Sequence, residues 1–83
     1  MNINKMDLNL LLAFNALMET QSVSKGAKLI GLSQPAMSHA LNRLRSILDD
    51  ELFVRSPKGM VPTAKASRIK DVIANSLMAL DQG

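Results

Sequence analysis

The chain has 83 residues, 10 basic against 7 acidic side chains for a net charge of +3, two phenylalanines, and no tyrosine, tryptophan or cysteine. That is room for a single small domain without disulfides or cysteine-ligated zinc; one histidine cannot hold a metal, so no cofactor is expected and self-association is the remaining source of extra stability. Scarce aromatics also disfavour single-stranded nucleic acid, which is bound by stacking bases on exposed rings.

In chain order, Asp7 is a good N-cap for a first helix reaching about Thr20, with Leu8, Leu11, Phe14, Leu17 and Met18 at three- and four-residue spacing. Leu10 and Leu12 widen the apolar stripe, as in a helix packed on more than one side or lending a face to a subunit contact. The run Leu10 to Phe14 is far too short to cross a bilayer, and a single lysine ahead of Asp7 does not make a signal peptide. No membrane association is expected, and the cytoplasm is the expected compartment.

Ser22 can cap a short second helix over Val23 to Ile30, with Val23, Ala27 and Ile30 inward and Lys25 and Lys28 outward. Gly26 inside it costs about 1 kcal/mol relative to alanine. Two readings stand side by side: close approach of another helix, or drift. Gly31-Leu32 is a tight turn in which glycine supplies the positive φ that ends a helix. Ser33 caps a third helix, and Pro35 sits in its first turn, where a missing amide costs nothing. Met37, Ala40, Leu41, Leu44 and Leu48 share one side, and Pro35, Ser38, His39, Asn42 and Ser46 the other. The outer face is small and polar, unlike the Glu/Lys mix of an ordinary solvated helix.

Asp49-Asp50-Glu51 lacks the alternating ligand spacing of a calcium loop and reads as a solvated helix terminus, with Arg45 offsetting Asp49 four residues on. Glu51 to Arg55, the turn Ser56-Pro57-Lys58-Gly59, and Met60 to Pro62 form a hairpin. Pro62 cannot donate to a ladder, so its strand is short or at an edge. Thr63 caps a long last helix over Ala64 to Asp81. Its stripe of Ala66, Ile69, Ile73, Ser76, Leu77 and Leu80 is close to a coiled-coil seam and, with little domain left to pack on, asks for a partner helix.

Two helices joined by a tight turn, the second with a small polar outer face and followed by a hairpin wing, match winged helix-turn-helix geometry. Small side chains let such a helix sink into a DNA major groove, and the helix start at Ser33 points free amides at phosphate. Gln34 can pair with adenine, Ser38 can donate or accept at several bases, and Pro35 can touch a thymine methyl. His39 donates or accepts according to tautomer. Arg43, nearer the edge, suits phosphate or an outer base, and Arg55 and Lys58 on the wing can reach backbone or minor groove. The basic residues Lys25, Lys28, Arg43, Arg45, Arg55 and Lys58 are segregated from the acidic block, so one face can be positive. A protein-docking face would instead show large apolar or aromatic anchors, and no nucleophile-base set supports an enzyme.

Asp7-Leu8-Asn9-Leu10-Leu11, Ser22-Val23-Ser24-Lys25-Gly26-Ala27, Leu32-Ser33-Gln34-Pro35-Ala36-Met37-Ser38, Leu52-Phe53-Val54-Arg55 and Pro62-Thr63 together resemble the LysR-type transcriptional regulators in order and spacing. The resemblance implies a mostly α fold: a winged helix-turn-helix DNA-binding domain over 1–63, of three helices and a two-stranded wing, then a linker and dimerisation helix over 64–83. It also implies that Gln34, Pro35, Ser38 and His39 face bases and that Arg55 and Lys58 contact double-stranded DNA. The expected DNA-facing set is then Ser33, Gln34, Pro35, Ser38, His39, Asn42, Arg43, Arg55 and Lys58. A homodimer through antiparallel linker helices would use Ile69, Ile73, Leu77 and Leu80. The family's effector-binding domain is absent from these residues, so a small-molecule inducer is expected only of a longer protein. This sequence departs from the family at Gly26, where alanine is usual, at Lys65-Ala66 in place of an Ala-Gly pair, and at His39, where arginine is frequent.

Overall fold

Four helices and one hairpin follow one another in the computed structural model, which describes residues 8–82, the side chains of 74 and 76–82 excepted. They are α1 (Leu8–Thr20), α2 (Val23–Ile30), α3 (Gln34–Leu48), β1 (Phe53–Ser56), β2 (Gly59–Pro62) and α4 (Ala64–Gln82). The architecture is the mostly helical winged helix expected. The cap expected at Asp7 lies outside the described residues.

Helix α1 is central. Its Leu10, Leu11, Ala13, Phe14, Ala16 and Leu17 are buried, and it packs against α2, α3 and α4. A helix apolar over most of its girth needs cover on several sides, and here its own chain provides it. The two phenylalanines, Phe14 and Phe53, meet as tilted rings 5.6 Å apart and join α1 to the wing. Helix α2 starts where Ser22 accepts from the Lys25 amide, and ends at Gly31, left-handed at φ 74°. There the Leu32 amide donates back to the Ala27 carbonyl at 2.9 Å, which closes the helix-turn-helix corner.

Gly26 marks a close crossing: a Cβ there would lie 2.9 Å from Met37 Cε and 3.2 Å from Thr20 Oγ1. Of its two readings, the structure supports close approach. In α3 the buried residues are Met37, Ala40, Leu41, Leu44 and Leu48, the inner face expected from the periodicity.

The strands pair antiparallel from Phe53 with Pro62 to Ser56 with Gly59. The first begins two residues later than the sequence suggested, because Leu52 takes φ 64° and turns the chain instead of extending it. Leu52 is fully buried; its amide donates to Asp50 Oδ2 at 2.8 Å, and its carbonyl accepts from the Thr63 amide at 2.8 Å.

Two expectations change at the last helix. Ala66 and Ile73 are completely covered and belong to the same core as α1 and α3, with Ile69 packed against it. The start of α4 is therefore part of the domain, contrary to a helix with little of its own chain to pack on. Ile73, expected at a subunit contact, has no surface left for a partner. The acidic block is the second. Asp50 is not merely solvated: its Oδ2 accepts from Thr63 Oγ1 at 2.6 Å while Thr63 Oγ1 accepts from the Ala66 amide, starting α4. The Thr63 hydroxyl and the Leu52 amide, with Lys65 and Arg68 adding positive charge, hold the Asp50 carboxyl below the usual carboxylate range against a smaller opposing effect of desolvation. Lys65, at a family departure, donates its ammonium to the Leu48 carbonyl at the end of α3. That offsets the negative end of the helix, where Asp49 and Glu51 would otherwise be unfavourable.

Candidate nucleic-acid interface

The outer face of α3 is built by its start. Ser33 Oγ accepts from the Ala36 amide at 3.2 Å, and Pro35 occupies the first turn, where no intrahelical donor is needed. That fixes the phase of the helix, and with it which residues look outward. Ser33, Gln34, Pro35, Ser38, His39, Asn42 and Arg43 are all exposed, as are Arg55 and Lys58. No side chain in the first seven is larger than arginine or histidine, and those two lie on one flank, beside Asn9 and Ala36 in a shallow depression.

The wing is set against this face by bonds the sequence did not announce. Gln21, itself left-handed at φ 55°, offers its carbonyl to the Met60 amide at 2.9 Å. Gly59, at φ 115°, passes so near that a Cβ would stand 2.6 Å from the same oxygen. At the tip, Ser56 Oγ accepts from the Lys58 amide and donates to the Gly59 carbonyl, both at 3.1 Å, so Lys58 is carried on a braced corner. A two-stranded ribbon is marginal by itself. This one is tied to the α1–α2 junction through the Gln21 carbonyl.

Arg45 provides the second tie. Its Nε donates to the Glu51 carbonyl and its Nη2 to the Phe53 carbonyl, both at 2.8 Å, while Nη1 donates to Asn42 Oδ1 at 3.2 Å. Its ion pair is with Glu51, at 3.9 Å, in place of the expected Asp49. A guanidinium is suited to this because its donors form a fixed planar fork.

Pairing with Met60 turns Arg55 to the inner side of the hairpin, towards α3, rather than to its outer side. Two clefts result. One, of about 300 Å³, runs from Ser22 and Ser24 past Gln34 to Arg55 and Pro57. The other, of about 260 Å³, lies between α3 and the hairpin and is lined by Ser38, Asn42, Arg45 and Arg55 over Leu41 and Met60. Of the expected DNA-facing residues, Gln34, Ser38, Asn42 and Arg55 are thus brought together, with His39 and Arg43 on the opposite flank and Lys58 at the tip. Sequence reasoning missed Gln21, Gly59 and the clamp made by Arg45. For Gly59 a signal existed, since a glycine closing a hairpin turn supplies a positive φ.

Charge follows the same division. Lys25, Lys28, Arg43, Arg55 and Lys58 are exposed, while Asp50 and Glu51 are engaged at the far end of α3. Its 15 residues put those ends about 22 Å apart. Among the described residues no cluster of side chains could hold a metal, and no helix is long and apolar enough to cross a membrane.

Comparison with known proteins agrees with this geometry. The transcriptional activator NahR of Pseudomonas putida is 45% identical over 80 residues, 96% of this chain and 27% of the relative. The chain spans about a quarter of the length of the curated relatives it matches. Among solved structures, the probable transcriptional regulator PA0477 from Pseudomonas aeruginosa superposes with a TM-score of 0.91 at 44% identity, over 98% of this chain and 27% of that one. The BenM DBD/catB site 1 DNA complex superposes with a TM-score of 0.86 at 27% identity, covering 93% and 86%. Residues 8–67 match the family described as bacterial regulatory helix-turn-helix protein, lysR family, and the chain belongs to it.

Proposed function

We propose that this chain is the double-stranded-DNA-reading head of a LysR-type transcription regulator, with α3 in the major groove and the wing on backbone or minor groove. The observation that carries it is the exposed small polar face of α3, braced beside a wing that turns Arg55 towards it. A helix of about 10–12 Å diameter, side chains included, fits a major groove about 12 Å wide, and small outer side chains let it sit deeper. Ser33, Gln34, Pro35, Ser38 and His39 supply such a face. Arg43, Arg55 and Lys58 supply the positive charge that phosphates require. The likeness to a structure solved as a complex with DNA supports duplex DNA as the partner.

In this reading the DNA-binding domain, expected over 1–63, takes in the covered start of α4 as well, and 64–83 continue as a linker helix whose outer side pairs with a second copy. Ile69 is only partly covered and Val72 is exposed, which suits them to that contact, whereas Ile73 serves the core. The side chains of Leu77 and Leu80 lie outside the described ones. Binding of a small-molecule inducer belongs to a protein of the relatives' length, and the place of action is the cytoplasm.

Selection of bound sequences from random duplex DNA tests the reading. A defined preferred sequence is expected. Gln34→Ala relaxes preference at one base pair, because a bidentate glutamine–adenine contact gives about 1–3 kcal/mol of discrimination. Lys58→Ala weakens all duplexes alike and lowers the salt slope by about 0.9. Absence of any enrichment refutes the proposal.

A further inference from the structure

The cleft between α3 and the wing holds a detail that the overall docking does not use. Arg45 has only donors, so the Asn42 atom it meets is the carbonyl oxygen, and the amide nitrogen is the end left over. Neither Asn42 Nδ2 nor Arg55 makes a hydrogen bond or ion pair among the described residues. The Asn42 and Arg55 residues both line the cleft, as does Ser38. An asparagine reads adenine by presenting oxygen and nitrogen together. Here the oxygen already accepts from Arg45, which is itself anchored to the Glu51 and Phe53 carbonyls, and this bond fixes how the side chain is turned.

We propose that Arg45 is a positioning residue that holds Asn42 by its oxygen and leaves its amide nitrogen to donate, so that Asn42 and Arg55 clamp a DNA backbone phosphate in the cleft between α3 and the wing. This rests on the DNA-reading assignment above. If α3 lies in a major groove and the wing reaches the neighbouring backbone or minor groove, the strand dividing the two grooves crosses the space between them. The cleft offers donors and, over Leu41 and Met60, no acidic side chain. Asn42 therefore contributes affinity without sequence preference, unlike Gln34.

The test uses the 83-residue chain, titrated by fluorescence anisotropy onto a selected duplex and a random-sequence duplex. Asn42→Asp keeps an oxygen for Arg45 but replaces the donor with a negative charge. It is expected to weaken both duplexes about tenfold, leaving the preferred sequence unchanged. Arg45→Lys cannot bridge all three acceptors; its loss of affinity is expected to shrink at least severalfold in an Asn42→Ala background, since the two residues act through one contact. A role for Arg45 confined to holding the wing would persist undiminished in that background. The inference is overturned by such persistence, by a shifted base preference in Asn42→Asp, or by unchanged affinity in Asn42→Asp while Arg55→Ala weakens binding. If Arg55→Ala and Lys58→Ala leave affinity for both duplexes intact, the DNA-reading assignment itself fails.

Discussion

Gly59→Ala isolates the tie between the wing and the α1–α2 junction, and the chain contains its own control. At Gly59 the φ of 115° disfavours any L side chain, and the new Cβ would stand 2.6 Å from the Gln21 carbonyl oxygen. Carbon and oxygen settle no closer than about 3.3 Å, so the strand has to withdraw by roughly 0.7 Å. The same movement stretches the Met60 amide bond to that oxygen from 2.9 Å. At roughly 3.6 Å it ceases to be a hydrogen bond. Backbone strain of about 1–2 kcal/mol and a lost bond of about 1 kcal/mol give a destabilisation of about 2–3 kcal/mol. Gly31 also has a positive φ, 74°, but nothing within 4 Å of its Cβ position. Gly31→Ala should therefore lose only the strain, about 1–2 kcal/mol. Urea unfolding followed by far-ultraviolet circular dichroism measures both. Equal losses in the two variants would refute the close approach as a source of stability. The Gly59 variant should also bind duplex DNA less tightly at temperatures where it remains folded, because Arg55 and Lys58 ride on the displaced hairpin.

Ile73→Ala should cost about 3 kcal/mol, the usual result of emptying a fully covered aliphatic site. The shift in urea midpoint should be the same at low and high protein concentration; a loss that vanishes on dilution would place Ile73 at a subunit contact after all. Asp50 adds a pH dependence of known sign. Its carboxyl is held below the ordinary value by the Thr63 hydroxyl, the Leu52 amide and nearby positive charge. Its stabilisation is thus complete above an unfolded aspartate's pKa of about 3.9 and is lost as pH falls through the lower folded value. Asp50→Asn should melt lower than the parent at pH 7, and the gap should narrow between pH 5 and pH 3. A gap that stays constant over that range would remove the charge of Asp50 from the account.

What the sequence disclosed was local. Periodicity separated the two faces of α3 because burial repeats with the helical turn, and the caps at Ser22, Ser33 and Thr63 and the left-handed Gly31 were readable since each acts within a few residues of itself. An apolar stripe says that cover is needed and not which surface provides it. That is why the stripe alone points Ile73 at a partner helix, whereas the packing puts it in the core. Arg45 offered two acidic residues within reach, and the left-handed turn at Leu52 decided in favour of Glu51 and two backbone carbonyls. The side-chain bond of Asp50 with Thr63 spans 13 positions and depends on where the hairpin returns the chain. At the candidate interface the identities were legible, whereas the grouping of Asn42 with Arg55 required the register of the wing.

The knot at the start of α4 has a mechanical consequence. Thr63 and Lys65 fasten its first turn to Asp50 and to the Leu48 carbonyl at the end of α3, and Ile73 pins it further along. The first turn of α4 is thus anchored at the end of α3, while its body packs chiefly on α1. The direction in which α4 leaves the core is therefore set by bonds within this chain, before any partner helix is met.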